Sequence, residues 1–173
     1  MRITLGVTGS IAAYKACELV RLFVKNGDDV RVVMTSAACE FVTPLTFQTL
    51  SRNPVGIDQF ALPEEWRPEH IALSEADAVV VAPATANAIA KMAHGIADDL
   101  LASTLLATRA PVFVAPAMNV GMWENPATQA NIATLRGRGV SVIEPDDGAL
   151  ACGTDGKGRM ASPTDIFAAV RKS

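Results

Sequence analysis

Long apolar runs are missing from this chain of 173 residues. No stretch reaches the roughly 18 uninterrupted apolar residues of a membrane-spanning helix. Met1-Arg2-Ile3-Thr4-Leu5 enters a strand pattern directly, which predicts no leader peptide. Cysteine is scarce and odd in number: Cys17, Cys39 and Cys152. Without metal spacing, these thiols argue against a disulfide framework and fit the reducing cytoplasm. The only histidines, His70 and His94, form no HxxH or HExxH pair, so zinc has little support. A basic run is absent, and 15 basic against 18 acidic residues leave a net charge of −3, which offers nothing to nucleic acid. Neither a Walker Gly-Lys-Ser/Thr nor a G-x-G-x-x-G fingerprint occurs, which argues against those phosphate and dinucleotide sites.

Apolar residues make up 50% of the chain and charged ones only 19%, rich for a lone domain of this size. One domain, residues 1–173, with surface buried against other copies in a homo-oligomer, is the expectation. Strand patterns at Ile3–Val7, Val30–Met34, Ala78–Ala82, Val112–Ala115 and Val140–Ile143 alternate with helical ones. The helices read as Ile11–Asn26 with Gly27 as C-cap, Phe41–Ser51 interrupted by Pro44, Thr85–Ala93, Asp98–Thr108, Pro126–Arg138 capped by Gly139, and Pro163–Lys172. His70–Leu73 reads as a short turn. This rhythm predicts an α/β fold of three layers, a doubly wound parallel sheet between helices.

Ligands of such sheets bind beyond the carboxyl ends of the strands. Gly6–Ile11, Thr35–Ala38, Pro83–Asn87 and Pro116–Trp123 converge on that rim. Gly9 lets backbone approach an anion at a helix start, and Ser10 adds a hydroxyl. Thr35 and Ser36 stand where a dinucleotide site wants an acid, which favours a mononucleotide, FMN first. In Pro83-Ala-Thr-Ala-Asn87, small residues admit a flat ring while Thr85 and Asn87 supply polar atoms; Thr85 also suits an N-cap. Residues 148–160, with four glycines around Cys152, read as a loop covering the site, since glycine is costly inside a helix or strand.

The stretches Gly9-Ser-Ile-Ala-Ala-Tyr-Lys15, Pro83–Asn87, Pro116-Ala-Met-Asn-Val-Gly-Met-Trp123, residues 89–100 and Ala151–Met160 resemble the homo-oligomeric flavin-containing cysteine decarboxylases over nearly the whole chain. The resemblance implies a flavodoxin-like fold, bound FMN, trimers that build dodecamers, and an active site at a subunit interface. It also implies a phosphopantothenate-cysteine ligase as a fused or separate partner. The substrate implied is phosphopantothenoylcysteine, on the way to coenzyme A. In the chemistry that the resemblance implies, oxidation at the thiol-bearing carbon gives a thioaldehyde, an electron sink; loss of carbon dioxide then gives an ene-thiol, and the hydride returns from the flavin.

Carried over residue by residue, the FMN contacts are Gly9, Ser10, Ile11, Thr35, Ser36, Ala84, Thr85 and Asn87. His70 matches the family base, Asn119 the group that grips the carboxylate, and Cys152 the final proton donor. Asn119, Met122, Ala151, Lys157 and Arg159 are the substrate contacts. Many relatives carry basic residues shortly after the histidine; this chain has His70-Ile-Ala-Leu-Ser-Glu-Ala-Asp77, so a phosphate must rely on others, such as Lys157 or Arg159. Cys152 argues against a peptidyl-cysteine decarboxylase, which stops at the ene-thiol. The missing acidic tail argues against a flavin-binding regulatory subunit, and the Pro-Ala-Met-Asn-x-x-Met-Trp motif against a prenyl-flavin synthase.

Overall fold

The structure is a computed structural model that describes residues 1–62, 66–149 and 155–172. Its elements in chain order are β1 (Arg2–Val7), α1 (Ala13–Lys25), β2 (Asp29–Met34), α2 (Ser36–Cys39), α3 (Pro44–Ser51) and β3 (Val55–Gly56). Next come α4 (Glu69–Ser74), β4 (Ala78–Ala84), α5 (Ala86–His94), α6 (Leu100–Ala107), β5 (Val112–Pro116), α7 (Val120–Glu124) and α8 (Pro126–Gly137). The chain continues through β6 (Ser141–Val142), β7 (Asp146–Ala149), β8 (Asp155–Arg159) and α9 (Pro163–Arg171). Among the described residues, six parallel strands form one sheet in the order β3-β2-β1-β4-β5-β6; the parallel sheet is the one the alternating pattern predicts, with a sixth strand, β3, at its edge. This is the doubly wound, flavodoxin-like or Rossmann-like arrangement.

Alternation along β1 sorts the two layers. Ile3, Leu5 and Val7 enter a core with Ala16, Leu19 and Phe23 of α1, Phe47 of α3, and Ile166 and Val170 of α9. Phe23 and Phe167 meet with ring centroids 5.2 Å apart. Thr4 and Gly6 face the opposite layer. The Thr4 hydroxyl donates to the Leu73 carbonyl at 2.8 Å, and a Cβ on Gly6 would stand 2.5 Å from the Leu101 side chain. That second core gathers Val81, Ile89, Leu100, Leu101, Trp123, Ile132 and Leu135. Each large apolar side chain fully buried there contributes about 1.5–3 kcal/mol.

Local chemistry sets the ends. The buried residues of α1 recur at helical spacing, and Gly27 follows its C-cap Asn26 at φ +85°, a conformation that favours glycine. Pro44 does not interrupt a helix from Phe41, as the sequence reading has it, but opens α3, because a proline near the first position loses no intrahelical bond. His70–Leu73 is not a turn but most of α4, held as Leu73 joins the second core and Ser74 is buried beside it. The short α2, α7 and β3 are additions to the predicted set.

The larger correction concerns residues 148–160. Within the described part, Asp146–Ala149 and Asp155–Arg159 pair as an antiparallel ribbon. Gly148, Gly156 and Gly158 have φ of +141°, +145° and +152°, values open mainly to glycine. The glycines here permit a strand rather than prevent one. Cys152 and Ala151 lie outside the described residues.

The N-terminal ammonium and Arg171 of α9 converge on Asp28, whose side chain is 2% exposed. Burial by itself would raise the Asp28 carboxyl; hydrogen bonds from the ammonium and Asn26, with the nearby Arg171 charge, hold it below the usual range. A depressed folded value stabilises the fold above the unfolded pKa of about 3.9, and that contribution fades as pH falls through the folded value. Asp28→Asn should therefore cost about 1–2 kcal/mol at neutral pH, with a smaller difference from the parent near pH 3, read by urea denaturation at both pH values.

Candidate functional site

β1 leads away to β2 on one side and β4 to β5 on the other, so their carboxyl ends border the crevice at the switch point. Thr8, 1% exposed, ties the two ends together. Its hydroxyl donates to the Pro83 carbonyl at 2.7 Å and accepts from the Thr85 amide at 3.0 Å; its own amide donates to the Pro83 carbonyl at 3.3 Å. Gly9 follows, and a Cβ there would stand 2.5 Å from that of Ala37, so glycine is required for the rim loops to close. Three rim residues cap helices: Thr35 accepts from the Ala38 amide at 3.2 Å, Thr85 from Ala88 at 3.3 Å, and Asn119 from Gly121 at 2.8 Å.

Two cavities flank this junction, sharing Gly9, Thr85, Ala86 and Met122 in their walls. One, of about 490 Å³, takes in Thr35, Ser36 and Asn87 and runs on between α5 and α6 to Leu105 and Leu106. The other, of about 380 Å³, takes in Ser10, Ile11, Lys15, Asn119, Arg159 and Met160. Both volumes fall among the roughly 300–1,000 Å³ of small-molecule sites.

The structure thus brings Gly9, Ser10, Ile11, Thr35, Ser36, Thr85 and Asn87 to the walls of adjoining cavities, with Asn119, Met122 and Arg159 beside them. Hydroxyls, an amide and the small side chains of Ala37, Ala86 and Ala88 fit a flat, polar-edged cofactor such as FMN. Three expected contacts stand elsewhere. Ala84 is fully buried in β4 and lines neither cavity. Lys157 turns to Glu144, 2.7 Å away, and lies over the Trp123 ring, so it fastens the ribbon instead of entering the cavity. His70 sits half-buried near the start of α4 and lines neither cavity. Cys17 and Cys39 pack against the core, where burial pushes both thiols up, as expected of small apolar residues.

Two residues escaped the sequence reading. Thr8 passes for an ordinary strand end. Lys15 carries a signal in retrospect: a cation in the first turn of α1 opposes the helix dipole. Burial, then the charge of Arg159, lower the Lys15 ammonium, against a smaller pull from Asp146.

A family model described as Flavoprotein matches residues 1–173. The coenzyme A biosynthesis bifunctional protein CoaBC of Bacillus subtilis (strain 168) is 50% identical over 171 residues, 98% of this chain but 42% of that protein. The protein of the same name from Haemophilus influenzae is 50% identical over 169 residues, 97% of this chain and again 42% of the relative. The chain therefore spans less than half the length of these curated relatives. Among solved structures, a PPC decarboxylase variant complexed with pantothenoylaminoethenethiol superposes with a TM-score of 0.89 at 34% identity, covering 99% of this chain and 96% of that one. The FMN binding protein AtHal3 gives 0.85 at 34% identity, covering 99% and 95%.

The ribbon is docked by backbone. The Met118 amide donates to the Gly158 carbonyl at 3.0 Å, and a Cβ on Gly158 would stand 2.3 Å from the Met118 oxygen. Gly158→Ala should detach the ribbon from the rim, seen as faster hydrogen exchange at Met118 by about tenfold or more, one bond of this kind being worth about 1 kcal/mol and its steric block adding to that. Unchanged exchange would show that the close approach does not hold the ribbon.

Proposed function

The chain belongs to the Flavoprotein family, and on that footing we propose that it is an FMN-dependent carboxy-lyase. It removes the carboxylate from the cysteine moiety of phosphopantothenoylcysteine to give phosphopantetheine for coenzyme A biosynthesis. The observation that carries the reading is the shared wall at Gly9, Thr85 and Ala86, which sets Asn119 and Arg159 directly beside the hydroxyl-lined cavity. Gly9, Ser10, Ile11, Thr35, Ser36, Thr85 and Asn87 would hold the FMN. Bound there, the flavin supplies a reversible hydride acceptor for the thiol-bearing carbon.

The remaining work belongs to side chains. Asn119 orients the carboxylate: a neutral amide does so without a cation that would favour the charged ground state over its loss. Met118 and Met122 wall the pocket with adaptable apolar surface. Cys152 would donate the proton that saturates the ene-thiol. His70 accepts the substrate proton and reaches the site from a neighbouring copy, since on its own chain it lines neither cavity. Exposed Leu45, Phe60, Trp66 and Leu106 supply apolar surface for such an assembly, a trimer or dodecamer. The full-length relatives support a ligase as fused or separate partner. Cytoplasmic residence is supported by the free thiols and by the lack, among the described residues, of any helix long and apolar enough to cross a membrane.

Purified protein reconstituted with FMN should release carbon dioxide from phosphopantothenoylcysteine and yield the saturated amine-thiol by mass spectrometry. Cys152→Ser should still decarboxylate but accumulate a product short of two hydrogens. A wild-type product with that same deficit would place the chain with enzymes that stop at the ene-thiol. Asn119→Asp should lower kcat/KM by about a hundredfold or more through charge repulsion at the carboxylate, on the scale of about 3 kcal/mol. Oligomers mixed from His70→Asn and Asn119→Asp chains should regain part of the activity that either variant lacks; none regained would place both groups in one chain's site.

A further inference from the structure

We propose that Glu144, acting through Lys157, is the positioning residue for the last step of the reaction, the saturation of the ene-thiol. This deepens the functional reading above and rests on it, and it gives Lys157 a task away from the substrate.

The rim segments that line the cavities, at Gly9, Thr85 and Asn119, follow β1, β4 and β5 of the large sheet. Cys152, the proton donor for saturation, lies in sequence between the strands of the ribbon. The ribbon is a sheet of its own, with two strands. Two strands alone are marginal in water, so the ribbon's place depends on what it touches. A loosened ribbon therefore bears most directly on saturation.

Glu144, between β6 and β7, is the charged anchor. Its carboxylate meets Lys157 of β8 at 2.7 Å, and Arg136 of α8. The Lys157 ammonium also lies 5.8 Å from the centroid of the Trp123 ring in α7. One cation thus joins the approach to β7, the returning strand β8 and the helix that Asn119 caps. The hydrogen bond from Lys157 leads the influences that hold the Glu144 carboxyl below its usual range, against burial, so the pair stays charged at neutral pH. The backbone bond from the Met118 amide to the Gly158 carbonyl fixes one point of β8. One bond leaves a strand free to pivot, and a side-chain clamp one residue away removes that freedom.

The fate of the hydrogens makes the step measurable. The substrate gives a hydride to the flavin and its thiol proton to a base, and the electron pair freed as carbon dioxide leaves forms the double bond. Saturation returns a hydride to one carbon and adds a proton to the other. A molecule that leaves early keeps the double bond, and its two electrons remain on the flavin. Without oxygen, each flavin releases one such molecule and no more.

The test mixes FMN-loaded chains anaerobically with excess phosphopantothenoylcysteine: wild type, Glu144→Ala, Lys157→Met, their double variant, Lys157→Arg and Arg136→Ala. Mass spectrometry reads the ratio of ene-thiol to saturated product, which does not depend on how tightly substrate binds. Glu144→Ala and Lys157→Met should each raise that ratio about threefold or more, on the scale of a half-exposed ion pair, while the yellow absorbance fades in step. The double variant should match the singles, since all three remove one interaction. Lys157→Arg should keep the wild-type ratio, and so should Arg136→Ala, which leaves Lys157 on Glu144. Before substrate is added, amides of residues 157–159 should exchange about threefold faster in Glu144→Ala. An unchanged ratio in Glu144→Ala, additive effects in the double variant or an equal rise in Arg136→Ala would overturn the proposal. So would a raised KM with an unchanged ratio in Lys157→Met, which would return Lys157 to the substrate. If wild type releases only ene-thiol, or turns nothing over, the functional reading fails and this proposal falls with it.

Discussion

The rim depends on one hydroxyl. Thr8 leaves the end of β1, yet its oxygen is bonded on both sides to the segment after β4, at Pro83 and Thr85. A doubly wound sheet divides at this place, because the connections on either side run away from each other. The ladder between β1 and β4 runs as far as Gly6 and Val81, and the Thr8 hydroxyl carries the connection past it onto the rim. With the tie, Gly9 and Thr85 become a fixed post, and the two cavities open on either side of that post. Without the hydroxyl the Thr85 amide would lose its partner, a loss of about 1–3 kcal/mol, and the Pro83 carbonyl would keep only the Thr8 amide, so the junction is strongly specified.

The ribbon is the second constraint, and it is placed by three different means. Gly158 brings backbone within bonding distance of Met118, closer than any side chain permits. Gly156 lies against the Val120 side chain. Lys157, between them, is drawn to Glu144 and Trp123. These contacts fix the strand's register, and the register leaves Arg159 on the cavity wall. The electrostatics of the site follow from that geometry: one ribbon cation is paired with Glu144, while the other lines the same cavity as Lys15.

Much of the scaffold was legible in the chain. Ala78–Ala82 is apolar on both faces, as a central parallel strand must be, and it is the core of β4. Thr85 reads as a cap and is one, while also standing at the crevice. Elements of two to six residues escaped notice or were read as turns, because α2, α7, β3 and α4 are too short for a periodic signal and exist through their packing. The ribbon was read as a loop because propensity counts glycine as a breaker. The positive φ that makes glycine suitable there arises only from its docking on the rim. Lys157 and Arg159 are alike in sequence, two residues apart in one glycine-rich run, and nothing local distinguishes their roles.

Periodicity and motif determined the doubly wound sheet, the rim segments and the chemical types gathered on them, because each is written in residues close along the chain. Tertiary structure alone decided which of those residues share a cavity. It buried Ala84 in its strand, kept His70 from both cavities of its own chain, fastened Lys157 to Glu144 and set Lys15 and Arg159 on the wall of one cavity. The physical reason is separation: Lys15 and Arg159 lie at opposite ends of the sequence, and only the sheet order and the docked ribbon bring their charges together.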